Sequence, residues 1–154
     1  MKITIITIGK ASSNQIAALI NDFQKRIKLN VQWIIIAHQT ETGQADIIKK
    51  QESDLIIKRL ESLKNSYKIL LDEAGEMISS VQLAKILDQT KNRSLNLIFI
   101  IGGAYGISDQ LRQKVDFTWS LSKLVFPHQI VRLILIEQIY RAISINNNSS
   151  YHHQ

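Results

Sequence analysis

At 154 residues, with 45% hydrophobic and 21% charged side chains, the chain has an ordinary globular composition and enough length to bury a sizeable core. It has no cysteine, which excludes a disulfide framework and thiolate chemistry, and no run approaches the roughly 20 apolar residues of a membrane span. Nineteen Lys and Arg against thirteen Asp and Glu leave a net charge of +6, which favours a polyanionic partner without naming one.

A single Pro and six Gly argue against long linkers, so one compact domain over residues 1–154 is expected. No Cys/His spacing matches a zinc site, and no metal is expected. Met1 to Ile8 is too short and too alternating for a signal-peptide core, and the absence of cysteine suits a cytoplasmic protein.

In chain order, Lys2 to Ile8 is β-branched and predicts a strand. Ser12-Ser13-Asn14-Gln15 has the Ser-x-x-Gln form of a capping box and predicts a helix through Ile27. Val31 to Ala37 reads as a second strand, and Thr42-Gly43 leads into an amphipathic helix over Ala45 to Lys64. Tyr67 to Leu71 predicts a third strand, Asp72 to Glu76 a turn, and Ser79-Ser80-Val81-Gln82 a second capping box before a helix ending near Thr90.

Leu95 to Ile101 is almost continuously apolar, as expected for a central parallel strand covered on both faces. Ser108-Asp109 should cap a short helix through Lys114, and Phe117, Trp119 and Leu121 alternate as a fifth strand. The repeated β-α order predicts an α/β domain, a mostly parallel sheet flanked by helices. Ligands of such sheets collect beyond the carboxyl ends of the strands, which directs attention to the turns after Leu71, Ile101 and Leu121.

The turn after Ile101 is Gly102-Gly103-Ala104-Tyr105-Gly106. It lacks the G-x-G-x-x-G spacing of a dinucleotide fingerprint, and reads equally as a ligand loop or a tight connection. Pro127-His128 suits a helix start, and His128 could simply cap or pack there. The helix predicted from Gln129 to Ile145 is apolar almost all round, so part of its surface is expected to meet a second copy of the chain. Arg132 and Arg141 beside it need a carboxylate, a carbonyl or an anionic ligand, and Glu137 offers Arg141 an i,i+4 ion pair. Lys25-Arg26-x-Lys28 and Lys49-Lys50 read as solvated helix faces. Tyr151-His152-His153 is either a frayed end or a tail carrying a general base.

Several of these stretches, in the same order, resemble the RlmH family, a minimal branch of the SPOUT methyltransferases. They are Phe99-Ile100-Ile101-Gly102-Gly103-Ala104-Tyr105-Gly106, Trp119-Ser120-Leu121-Ser122 with Phe126-Pro127-His128-Gln129, Ile136-Glu137-Gln138-Ile139-Tyr140-Arg141-Ala142, and Tyr151-His152. The resemblance runs over essentially the whole chain. It implies S-adenosylmethionine-dependent methylation of N3 of a pseudouridine in 23S rRNA, within the large subunit or the assembled ribosome. It also implies a deep trefoil knot and a homodimer.

By the same resemblance, three loops hold the cofactor. They fall on Leu71, on Gly102 and Gly103, and on Ser122, Lys123, Leu124, Val125, Phe126 and Pro127. His152 is the candidate for assisting removal of the N3 proton, Tyr151 for orienting the base, and Arg132, Arg141 and His128 for RNA contacts. The chain departs from the family where a basic residue often follows Tyr-His, since it carries His153-Gln154 there. On the residues alone, two other readings stand: a different nucleotide-binding α/β enzyme, and a basic rRNA-binding assembly factor without catalysis.

Overall fold

A computed structural model describes residues 1–37, 43–149 and 151; Thr42, His152, His153 and Gln154 lie outside them. The elements are β1 (Lys2–Ile8), α1 (Asn14–Arg26), β2 (Asn30–Ile36), α2 (Ala45–Glu61), β3 (Ser66–Met77), α3 (Ser80–Asn92), β4 (Asn96–Ile101), α4 (Asp109–Arg112), β5 (Phe117–Ser120) and α5 (His128–Asn146). The strands form one sheet in the order β2-β1-β4-β3-β5, with every pairing parallel. The mostly parallel α/β sheet expected from the sequence is therefore present.

β4 is the middle strand, and its alternation explains why its sequence is apolar without a break. Leu97, Phe99 and Ile101 enter one core with Leu83, Leu87, Leu135 and Ile139 from α3 and α5. Ile98 and Ile100 face the opposite way, into a second core with Ile56, Ile57 and Leu60 of α2 and Leu111 of α4. Side chains alternate across a strand, so a strand covered on both faces needs apolar residues at every position.

Two local expectations are corrected. The Ser12-x-x-Gln15 capping box does not form: the N-cap of α1 is Ser13, with no side-chain cap bond. Shifting the start by one residue moves Gln15 off the N3 position, and α5 supplies the missing acceptor, because the Ser13 N–H donates to Gln129 Oε1 at 2.7 Å. The Ser79–Gln82 box, by contrast, forms with both of its reciprocal bonds.

The segment Asp72 to Glu76, expected to be a turn, lies within a longer β3. Leu71 and Glu76 both register against Trp119, so residues 72–75 bulge out and the strand resumes. Gly75 makes this bulge feasible: a Cβ there would lie 2.7 Å from the Thr118 carbonyl carbon and oxygen. Asp72 fixes it, accepting from Ala74 N–H at 2.9 Å and pairing with Arg112 of α4 at 3.0 Å.

α5 packs against α1 and α3, and buries Leu135, Ile136, Ile139 and Ala142 completely. Its sequence is apolar on all sides, yet the protein covers only one side fully. Ile130, Leu133, Ile134 and Glu137 stay partly exposed.

Candidate functional site

Parallel strands end together at one edge of the sheet, and here three of their loops enclose a cavity of about 150 Å3. The end of β3 contributes Leu71, Asp72 and Glu73. The segment after β4 contributes Ile101, Gly102, Gly103, Ala104, Gly106 and Ile107. The segment after β5 contributes Leu121, Ser122, Leu124, Val125 and Phe126, and the first turn of α5 adds His128 and Val131. These are the three strand ends to which the sequence directed attention.

The glycines have distinct tasks in this wall. Gly103 and Gly106 close a tight turn through Gly106 N–H donating to the Gly103 carbonyl at 3.1 Å, and Gly106 sits at φ +80°, a left-handed conformation that a side chain would strain. A Cβ on Gly102 would lie 2.6 Å from Ile107 Cγ2, so the turn can fold back onto Ile107 only with glycine there. The loop after β5 is organised by its own hydroxyls: Ser120 donates to the Ser122 carbonyl at 2.9 Å, and Ser122 Oγ accepts from Leu124 N–H at 3.0 Å. That holds Leu124 and Val125 outward, 70% and 82% exposed, on the lip of the cavity.

Of the residues expected to hold a cofactor, Leu71, Gly102, Gly103, Ser122, Leu124, Val125 and Phe126 line this cavity. Lys123 is exposed beside it, and Pro127 is the N-cap of α5 rather than a wall residue. His128, expected to contact RNA, lines the cavity. Burial, reinforced by the nearby Arg132 charge, lowers its pKa, which favours the neutral imidazole. Asp72, Glu73, Ile107 and Val131 were not singled out from the sequence, although the two carboxylates directly follow Leu71 and could have been.

Arg132, expected to contact RNA, is turned into the fold. It is only 3% exposed, and its guanidinium closes the β1–α1 loop from below. Nε donates to Thr7 Oγ1 at 3.2 Å, Nη2 to the Ile8 carbonyl at 3.1 Å, and Nη1 to the Lys10 carbonyl at 2.7 Å and Ser12 Oγ at 3.3 Å. A buried cation surrounded this way serves the fold and leaves little for a phosphate.

Arg141 and Tyr151 meet at the other end of α5. Arg141 pairs with Glu137, with Nε at 3.0 Å, and its guanidinium lies 4.9 Å from the centre of the Tyr151 ring. Tyr151 also packs edge-on to Tyr140, centroids 4.6 Å apart, and donates its hydroxyl to Glu137 at 3.3 Å. Burial and the adjacent carboxylate raise the phenol pKa, so at neutral pH it remains a donor. At 1.5 Å per residue, the nine to thirteen positions separating His128 from these residues amount to roughly 14–20 Å along the helix. Tyr151 is thus anchored well away from the cavity of its own chain.

The cavity is cradled by glycines, walled by Ile101, Ile107, Leu121 and Val131, and rimmed by Asp72 and Glu73. That donor set suits a nucleoside-containing cofactor, with apolar walls for a base and carboxylates for ribose hydroxyls or an ammonium group. Among the described residues, no group of three or more His, Asp or Glu converges as a metal would require.

Fold and cavity together define a cofactor-binding α/β protein with its site beyond the strand ends. The family model described as "Predicted SPOUT methyltransferase" matches residues 1–152, so the chain belongs to the SPOUT methyltransferase family. It is 37% identical over 155 residues to the ribosomal RNA large subunit methyltransferase H of Geotalea daltonii, an alignment covering 99% of this chain and 100% of that one. Among solved structures, its fold is similar to a putative methylase family protein from Neisseria gonorrhoeae at TM-score 0.58 and 12% identity, covering 99% of this chain and 87% of the other. It is similar also to the SpoU methyltransferase AviRb from Streptomyces viridochromogenes, solved in complex with AdoMet, at TM-score 0.50 and 11% identity, covering 96% and 62%.

Proposed function

We propose that the protein is an S-adenosylmethionine-dependent methyltransferase acting on ribosomal RNA of the large subunit, and that its target atom is N3 of a pseudouridine in 23S rRNA. The observation that carries this reading is the convergence of the β3, β4 and β5 loops on one glycine-cradled cavity, in a chain that belongs to the SPOUT methyltransferases. Full-length similarity to relatives named for methylation of large-subunit rRNA supports the substrate.

S-adenosylmethionine supplies an electrophilic sulfonium methyl, which passes to N3 as the S–CH3 bond breaks and the sulfur leaves as a neutral thioether. The chain's task is to position the reactants and accept a proton. The walls from Leu71, the Gly102–Gly103 turn and Ser122 to Phe126 would hold the cofactor, with Pro127 fixing the entry to α5. N3–H of a uracil-type base is only weakly acidic, so its proton must leave before or during attack. We assign that step to His152, which lies outside the described residues, and assign orientation of the base to Tyr151.

We further propose that the working unit is a homodimer in which this tail serves a neighbouring protomer's cavity. The anchoring of Tyr151 far along α5 supports it, as do the exposed Leu124 and Val125 and the apolar stripe of Ile130, Leu133 and Ile134. Arg141, held by Glu137 beside Tyr151, remains the candidate for a phosphate contact near the tail. A knotted path of α5 and a cytoplasmic location accompany this reading.

The test is transfer of labelled methyl from S-adenosylmethionine to ribosomes lacking the modification, for the intact chain and for one truncated before Tyr151. Label on large-subunit RNA that disappears with the tail is expected. Label that persists after truncation removes Tyr151 and His152 from the mechanism. A monomeric mass by light scattering at micromolar concentration refutes the dimer.

A further inference from the structure

The glycine turn is shaped from behind as well as from the cavity. α2 is a charged, largely solvated helix, yet it turns Glu52 and Ser53 inward, where they are 6% and 1% exposed. Neither lines the cavity. A Cβ built on Gly103 would fall inside the Glu52 carboxyl group, with Oε1 still only 2.9 Å away, so this carboxyl fills the space directly behind the turn. Five residues further along, Ser108 N–H donates to Ser53 Oγ at 2.8 Å, while that hydroxyl donates to the Lys49 carbonyl at 2.7 Å. Consecutive residues of one helix therefore hold both ends of the segment 103–108, and the middle of that segment is cavity wall.

An apolar side chain at position 52, like those of its α2 neighbours Ile56 and Ile57, would pack the second core without a carboxyl group. A loop that must present its backbone to a ligand, however, gains from a rigid support on its far side. We infer that Glu52 and Ser53 are positioning residues: they fix segment 103–108 in the conformation that binds S-adenosylmethionine, from a helix that does not touch the cofactor. This rests on the cavity being the cofactor site. It makes glycine at 103 a requirement of two partners, the ligand in front and Glu52 behind.

The test uses the full chain, with S-adenosylmethionine affinity measured by calorimetry, methyl-transfer kinetics on unmodified ribosomes, and thermal midpoints as a check on folding. Gly103→Ala drives a methyl into the Glu52 carboxyl and is expected to weaken binding about tenfold or more. Adding Glu52→Ala opens that space, so the double variant is expected to bind more tightly than Gly103→Ala alone, which is non-additivity between neighbours. Ser53→Ala is expected to raise KM for the cofactor about threefold to tenfold with kcat little changed, and Ser53→Thr, which keeps the hydroxyl, to restore it.

A double variant that binds no more tightly than Gly103→Ala overturns the inference. So does a Ser53→Ala protein with unchanged KM, and this second arm decides the matter if Gly103→Ala does not fold. Absence of S-adenosylmethionine binding by the unaltered chain overturns the cavity assignment itself, and with it this inference.

Discussion

Replacing Arg132 by Met separates a buried clamp from an RNA contact. Met keeps most of the apolar stem and removes the guanidinium, so the change tests the polar contacts more than the packing. Four acceptors lose a charged donor: Thr7 Oγ1, the Ile8 and Lys10 carbonyls and Ser12 Oγ. Hydrogen bonds to a charged group contribute about 1.5–3 kcal/mol each, but they share one side chain whose own desolvation is recovered on removal. The net cost is therefore about 3–5 kcal/mol, well below the sum of the four bonds, since what remains is four neutral acceptors short of a donor. In a domain of this size each kcal/mol shifts Tm by about 2–4 °C, so a fall of about 6–20 °C is expected by calorimetry. Binding to ribosomes, measured on folded protein well below Tm, should keep its dependence on salt. A Tm within about 2 °C of the parent, together with a shallower salt dependence of ribosome binding, would place the guanidinium on RNA and refute the clamp.

Gly75→Ala pushes a methyl against the Thr118 backbone, where no flexible side chain can yield; a loss of about 1–3 kcal/mol is expected, visible as a lower denaturant midpoint. Ser79→Ala removes the cap of α3 and should cost about 1 kcal/mol in the same measurement, leaving cofactor affinity unchanged because α3 does not line the cavity. His128 provides a pH test. Its folded pKa lies below the unfolded value of 6.5, so the unfolded chain binds the proton more readily. Its contribution to stability is complete above pH 6.5 and is lost as pH falls from there through the folded pKa. His128→Gln should flatten that part of a Tm profile recorded between pH 5 and 8, and an unchanged profile would show that burial does not disfavour the charged imidazole in the way described.

The contrast between the two capping motifs shows what local sequence can decide. Ser79-x-x-Gln82 works as read because both partners of each bond lie within four residues. Ser12-x-x-Gln15 has the same pattern and fails, because Gln129 and Arg132 arrive from more than a hundred residues away and take the Ser13 N–H and the Ser12 hydroxyl. Likewise Asp72 to Gly75 has turn composition, yet it lies within β3. The registration of Leu71 and Glu76 against the same Trp119 makes it a bulge in that strand.

For the cavity, the glycine turn and the hydroxyl-rich loop after β5 were legible, since each departs from the periodicity of the scaffold around it. The sequence by itself determined the α/β class, the unbroken apolar middle strand and the three strand ends that enclose the cavity, because hydrophobic period and glycine placement are local properties. Tertiary structure alone decided that Arg132 is buried, that His128 faces the cavity, that Glu52 lies behind Gly103 and that Tyr151 docks on Glu137 and Tyr140. Each of these depends on which helix packs over which strand end, and a charged or aromatic residue carries no local sign of whether its partner will be water or a distant segment of the chain.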